Sequence, residues 1–392
     1  MMRANRHWAM LYFDHNATTP LSPRAKEAWL EASEQYPGNP SSPHRLGSRA
    51  DHALEESRER VASLLGGQPL DLIWTSGATE ASNMVFHHYS QVLGGDDVVW
   101  ISAIEHPCVL QAARRFLGDR IRLLPVNPSG VIERSVLSTW LREKRPSLVV
   151  CMAANNETGV MQPWEAVRDW CASESIPYFC DAAQWIGKYP ATGLGSCGWT
   201  MGCAHKFGGP KGVGFLKVPS KGGFHALFGG GPQERSRRAG TENVAGILSM
   251  TAALEERESM FDCSDWLVTQ REIRSTVEKE ILERLPGSIA LGKGEERLWN
   301  TLALVMPECD CRFRWVVKLD RLGVAVSTGS ACSSGKEQAS HVLEAMACSH
   351  DEASRVIRCS SGLETSRDDW QTLIQALVQV HQEAKAFSGK PV

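Results

Sequence analysis

The chain has 392 residues, 42% of them hydrophobic and 22% charged, enough to bury a large core and to form two or more domains. A formal net charge of -3 gives no electrostatic reason to expect nucleic acid or an anionic membrane as partner, and no stretch approaches the roughly 20 apolar residues of a membrane span. The opening ten residues lack the apolar run of a signal peptide, so a cytoplasmic protein is expected.

Twelve cysteines occur with no Cys-x-x-Cys spacing; Cys151 and Cys180 sit inside apolar runs and read as reduced core thiols. No protein-built metal site is expected.

Tyr12-Phe13 is a short apolar start that turns polar through Asp14-His15-Asn16 and ends at Pro20; an amphipathic helix is expected from Pro23 to Tyr36, and a charged, periodic one from Ser48 to Leu65. The run Leu70 to Thr75 is strand-like. Ser76-Gly77-Ala78-Thr79-Glu80 after it opens a helix, an arrangement whose free N–H groups and dipole suit an anion, with a Thr79 hydroxyl beside them. Simple capping uses the same residues. No Gly-Lys is followed by Ser or Thr, so a Walker loop is excluded.

Three further apolar runs end in polar groups: Asp97 to Ser102 before Glu105-His106-Pro107, Leu148 to Ala154 before Asn155-Asn156-Glu157, and Ile176 to Cys180 before Asp181-Ala182-Ala183-Gln184. Proline after His106 biases that residue to extended backbone, which aims its ring off the strand end. Continuous apolar strands alternating with helices make a parallel sheet covered on both faces, and ligands of such sheets sit at the carboxyl ends of the strands. That rule gathers Thr79, His106, Asn155, Asp181, Gln184 and Lys206 along one edge.

Lys206 follows His205 and precedes the glycine-dense turn Gly208-Gly209-Pro210-Lys211-Gly212. A lysine at a strand end can form a Schiff base, provided that burial or a second cation brings its pKa down from about 10.4. A solvated surface turn fits the same residues. Gly229 to Thr241 is a glycine and arginine loop suited to an anion or an acidic neighbouring subunit, or simply to solvent; a long helical stretch runs from Asn243 to Leu285, and a hinge is expected around Pro286 to Gly294.

In the smaller α/β piece beyond it, Val324-Ala325-Val326 exits into Ser327-Thr328-Gly329-Ser330-Ala331-Cys332, a polar, glycine-rich surface loop in which an accessible cysteine is a nucleophile candidate. Arg358, alone in the strand Val356 to Ser360, suits a substrate carboxylate or a structural ion pair.

Eight motifs in this order resemble the cysteine desulfurases, pyridoxal-phosphate enzymes of the aspartate-aminotransferase fold type: Asp-His-Asn-Ala-Thr-Thr-Pro at Asp14, Thr-Ser-Gly-Ala-Thr-Glu at Thr75, Glu-His-Pro at Glu105, Asn-Asn-Glu-Thr-Gly at Asn155, Asp-Ala-Ala-Gln at Asp181, His-Lys at His205, Arg-Ala-Gly-Thr at Arg238 and Ser-Thr-Gly-Ser-Ala-Cys at Ser327. Each is weak alone. The likeness implies a mostly parallel seven-stranded large domain over 15–255 and a smaller domain over 1–14 and 256–392 carrying a mobile loop at 327–336.

It also implies roles. Lys206 would hold the pyridoxal 5'-phosphate and shuttle a proton, and Asp181 would pair with its ring nitrogen. His106 would stack on the ring, and Gln184 and Asn155 would bond its hydroxyl side and the substrate. Ala78, Thr79, His205 and the Cys203 position would hold the phosphate, with Thr241 reaching across from the second subunit of a homodimer. Arg358, Asn155 and the Asn16 segment would take the carboxylate of L-cysteine. Cys332 would remove its sulfur as a persulfide for a sulfur-acceptor protein serving iron-sulfur or thio-modification pathways.

The chain departs from the pattern at Cys203, where a serine is usual, at Leu363, where an arginine is common, and over Pro307 to Lys318. A selenocysteine lyase or aminotransferase of the same fold, or a scaffold or sulfur-relay protein without turnover, remain as alternatives.

Overall fold

The computed structural model describes residues 10–263, 265–308, 314–328 and 340–388. In chain order its strands are β1 (Leu11–Tyr12), β2 (Leu72–Thr75), β3 (Val99–Ser102), β4 (Ile121–Leu124), β5 (Leu148–Val150), β6 (Tyr178–Asp181), β7 (Trp199–Cys203), β8 (Gly214–Lys217), β9 (Ile289–Ala290), β10 (Thr301–Val305), β11 (Val324–Ala325) and β12 (Val356–Ser360). Seven of them form one sheet in the order β2-β8-β7-β6-β5-β3-β4.

The sequence of each central strand explains its place. Successive side chains point to opposite faces of a strand, and here both faces are apolar. Ile73, Val99, Ile101, Leu148, Val150 and Phe179 pack with Met84, Val85, Phe86 and Val109 of the helices Ala78–Val92 and Pro107–Leu117. Their neighbours Trp74, Trp100, Val149, Tyr178 and Cys180 join Leu54, Val61, Trp164, Ile247 and Leu254 on the other face.

Strands β4, β3, β5, β6 and β7 are mutually parallel; β8 runs antiparallel to both β2 and β7, so β2 points the same way as the rest. Their carboxyl ends therefore lie along one edge of the sheet. At that edge Gly214 starts β8 so close to its neighbours that a Cβ would lie 2.8 Å from the Gly77 Cα, and Gly77 itself has φ +148°, which admits only glycine.

A second apolar cluster joins the two ends of the chain. Phe13 packs there with Val277, Ile281, Leu302, Leu304, Ile357, Leu373 and Leu377, around the antiparallel sheet β12-β10-β9 and the short parallel pair β1-β11. The expected long helical stretch is two helices, Val244–Phe261 on the large sheet's core and Trp266–Arg284 on the second cluster. Among the described residues no helix is long and apolar enough to cross a membrane, and no three His, Cys, Asp or Glu side chains are grouped to hold a metal ion.

Candidate active site

A cavity of about 420 Å³ opens at the carboxyl edge of the large sheet. Of the residues singled out from the sequence, it brings together Ala78, Thr79, His106, Asp181, Gln184, Cys203, His205 and Lys206.

Asp181 ends β6, so its side chain leaves the strand into the cavity while remaining 5% exposed. Its Oδ1 accepts the Ala183 N–H at 2.9 Å. Burial is the largest influence and pushes its pKa up to about 6, against the opposing pull of that bond and of Lys206. A buried carboxylate held by one backbone donor is short of a cation or acidic N–H partner.

Glu105, after β3 and two strands over, is fully buried; its Oε1 accepts the Met152 N–H at 2.6 Å, and burial first, then Asp181 nearby, raise its pKa well above the ordinary carboxyl value.

His106 is the N-cap of the helix Pro107–Leu117, with φ -58° and ψ 145°, and its Nδ1 accepts the Cys108 N–H at 3.1 Å. Nδ1 is thus the acceptor and the ring proton belongs on Nε2. Burial first, then Lys206 and His341, push its pKa down to about 4, so the ring is neutral at physiological pH.

Lys206 closes the turn Ala204–Lys206 after β7; its Nζ donates to the Asn16 carbonyl at 2.6 Å and the Ala17 carbonyl at 2.9 Å, and burial is the main cause of a lowered pKa. His205 bonds Thr18 Oγ1 at 3.2 Å through Nδ1.

At one end of the cavity the helix Ala78–Val92 begins at Gly77 without a side-chain cap, and the Ala78 N–H points at the Cys203 sulfur. Glu80 in that turn is neutralised by Arg238 Nε at 2.8 Å and accepts the Ser76 N–H at 2.7 Å. Cys203 lies in this wall, 3% exposed, its thiol pushed up to about 11 by burial. Cys108, also in the wall, is pushed up to about 12. Both thiols are protonated at neutral pH.

Three residues expected at the substrate or cofactor have their side chains engaged outside the cavity in this structure. Asn155 is fully buried and spent on its own loop: Oδ1 accepts from Glu157 N, Thr158 N and Thr158 Oγ1, and Nδ2 donates to the Ile104 carbonyl at 3.0 Å. Its neighbour Asn156 lines the cavity instead.

Asn16 is 1% exposed, its Oδ1 taken by Lys188 and Asn300 and its Nδ2 by the Asn156 carbonyl and Thr301; only its backbone carbonyl meets Lys206. Arg358, 1% exposed, takes the ion-pair alternative, with Nη2 on Asp14 Oδ1 at 2.6 Å and Nη1 on the Asn156 carbonyl at 2.8 Å.

Thr241 is exposed and outside the cavity of its own chain. Cys332 lies outside the described residues. On either side of its segment, Ser327 pairs with Arg358 of β12 through backbone bonds, and Ser340 Oγ donates to Glu157 Oε2 at 2.6 Å.

The comparison with known families decides the lineage. The Aminotransferase class-V family model matches residues 11–373. The chain belongs to the class-V aminotransferase family.

Among relatives of this class-V chain, Cysteine desulfurase IscS of Dictyoglomus turgidum is 34% identical over 384 residues, 96% of each chain. A NifS-like protein from Rickettsia africae matches with a TM-score of 0.84 at 28% identity, covering 95% of this chain and 99% of that one. SspA in complex with cysteine matches with a TM-score of 0.77 at 27% identity, over 89% and 98% of the two chains.

The class-V fold, an α/β fold of type I with a mostly parallel seven-stranded sheet, is the one the sequence leads to. Leu363 packs on the apolar group of Ala154, Tyr189, Leu298 and Trp299, and Cys203 stands in the helix-end wall.

Sequence reasoning missed Asn156, Glu80 and Lys188. Nothing in a non-periodic turn separates Asn155 from Asn156; for Lys188 the one signal is its position four residues after Gln184, whose Oε1 it meets.

Proposed function

We propose that the chain is a cysteine desulfurase that uses pyridoxal 5'-phosphate, working as a cytoplasmic homodimer. The donor set fits the cofactor. Among the described residues Asp181 accepts one backbone N–H and can take a ring N–H besides, the helix start beside Ala78 and Thr79 has no side-chain cap and suits a phosphate, and Lys206 is an amine of lowered pKa between them. Bound there, the group would act as an electron sink for carbanion chemistry at the substrate Cα.

The protein's own residues supply the rest. Asp181 keeps negative charge at the base of the site, and neutral His106 presents its ring face and an Nε2–H. Lys206, held by the Asn16 and Ala17 carbonyls when free, is the base and acid at carbon. Arg358 takes the substrate carboxylate in exchange for Asp14, and Thr241 of a second subunit completes the phosphate site.

The Cys332 thiolate attacks the sulfur of L-cysteine. An S–S bond forms as the Cβ–S bond breaks, and Cβ gains a proton. The products are L-alanine and a Cys332 persulfide, which passes its outer sulfur to an acceptor protein's thiol. Carbon is reduced and sulfur oxidised within one step, so no outside oxidant is required.

The likeness to relatives named cysteine desulfurase, 34% and 33% identical over 96% of this chain, favours this over an aminotransferase. The cavity thiols Cys108 and Cys203 are protonated and poor candidates for the attack on sulfur. SspA, of the same fold, forms a complex with cysteine.

The observation that carries the reading is the convergence of Lys206, Asp181 and His106 on one cavity. Mass spectrometry of the Cys332 peptide after L-cysteine, with alanine measured in parallel, tests it. An added sulfur and stoichiometric alanine are expected from the wild type, and neither from Cys332→Ala. Undiminished alanine release by that variant would favour a lyase that needs no Cys332 thiol instead.

A further inference from the structure

One buried amine has no part in this chemistry. Lys188 is 4% exposed, and its Nζ donates to Asn16 Oδ1 at 2.8 Å and to Gln184 Oε1. Both partners are neutral amide oxygens. Among the described residues no carboxylate pairs with it, so a methionine at this position would spare the fold the cost of burying an amine.

What the amine accomplishes is visible one bond further on. Gln184, its carbonyl held by Lys188, turns its Nε2 to the Asn16 backbone carbonyl at 2.9 Å; that same carbonyl accepts Lys206 Nζ at 2.6 Å. Lys188 also fixes the Asn16 side chain, opposite the Nδ2 bonds to Asn156 and Thr301. A flipped Gln184 amide would set oxygen against oxygen at Asn16 and push the carbonyl away from Lys206.

We propose that Lys188 is a positioning residue for Lys206: by locking Gln184 and Asn16 it keeps the Asn16 carbonyl where it holds the free Lys206 amine at the cavity wall.

Two oxygens for two hydrogens is the stoichiometry of a neutral amine. Burial, then the Lys206 and Arg358 cations, push the Lys188 pKa well down, in agreement with that count. The other ionisable groups facing the two lysines are Cys203, Arg257, Asp181 and Asp14. Lys188 therefore acts on Lys206 through hydrogen-bond geometry. The two carbonyls favour the ammonium form of Lys206, so losing one lowers its pKa.

This inference rests on Lys206 being the reactive amine. The test compares full-length wild type with Lys188→Met, and with Lys188→Gln, which keeps one donor. Three quantities are read: the pH profile of Lys206 acylation in cofactor-stripped protein by mass spectrometry, the kcat and KM for alanine release, and the thermal midpoint.

In Lys188→Met the Lys206 profile is expected to move to lower pH by about half a unit or more. A kcat lower by about tenfold with KM within about twofold is expected alongside, with Lys188→Gln between. A profile that stays in place while only the midpoint falls would make Lys188 structural and overturn the proposal. A profile moving to higher pH would make Lys188 a charge, and also overturn it. Should Lys188→Met not fold, Lys188→Gln is judged by the same criteria. A wild type that releases no alanine would sink the desulfurase reading, while the Lys206 profile would still decide whether the two lysines are linked.

Discussion

The two walls of the cavity are built on opposite principles. The strand-end wall carries groups with spare capacity: Asp181 with one backbone donor, His106 with its Nε2–H, Lys206 with a lowered pKa. The facing side, from residues 14–17 and 155–158, meets the cavity through Ala17 and Asn156, while the polar side chains of Asn16 and Asn155 are tied into hydrogen bonds of their own. Strands satisfy their backbone through the ladder, so a side chain at a strand end is free for chemistry. Loops have no ladder, and their side chains fill that need. A polar residue near a ligand is therefore more informative at a strand end than in a loop beside it.

Substitutions can break this contrast, beginning with the largest expected effect. Asp181→Asn should abolish alanine release yet stabilise the cofactor-free protein. The folded carboxyl titrates at about 6, above the ordinary value near 3.9, so the folded state holds a proton that the unfolded chain gives up between those values. The wild type loses stability as pH rises from about 4 to about 6, and Asn does not. Denaturant unfolding should thus find a gain of up to about 3 kcal/mol near pH 8 that shrinks towards zero near pH 4. A loss of stability at both pH values would mean that Asp181 is structural.

Asn155→Ala should do the reverse, costing about 2 to 3 kcal/mol of stability through two orphaned backbone N–H groups and the lost bond to Ile104. Its cofactor affinity, measured by equilibrium titration on folded protein, should change by less than about threefold. A large loss of affinity with intact stability would return Asn155 to the site.

The smallest effect is expected from Cys203→Ser. A hydroxyl is a stronger donor than the protonated thiol in that wall, and phosphate affinity should rise by a few fold, about 0.5 to 1 kcal/mol.

Much of the sheet and the strand-end wall was legible because their signals are local: Leu148-Val149-Val150 can only be a buried strand or helix segment, and Asp181 or His106 stands where the apolar run stops. The facing side was less legible, because orientation in a turn decides there. Asn155 and Asn156 are adjacent and chemically identical, but one faces its loop and the other the cavity.

Lys188 was passed over because a lysine is ordinarily a surface residue. The Gly229 to Thr241 loop, read as suited to an anion, an acidic neighbouring subunit or solvent, is also stapled within the chain. Glu234 takes both Arg58 Nη atoms and the Trp74 N–H, Arg235 pairs with Glu55, and Arg238 with Glu80. Glu234, Arg235 and Ser236 have φ of 49°, 58° and 62°, a left-handed run in non-glycine residues that such anchoring holds in place. Neither a buried ion pair 176 residues apart nor a left-handed arginine has a sequence signature.

The most direct test of the central claim is to load the chain with pyridoxal 5'-phosphate, reduce it with borohydride and map the modified lysine by mass spectrometry. The label is expected on the Lys206 peptide alone, and to vanish in Lys206→Ala. A label on Lys188 or Lys211, or none on a protein that is otherwise folded, would contradict the account.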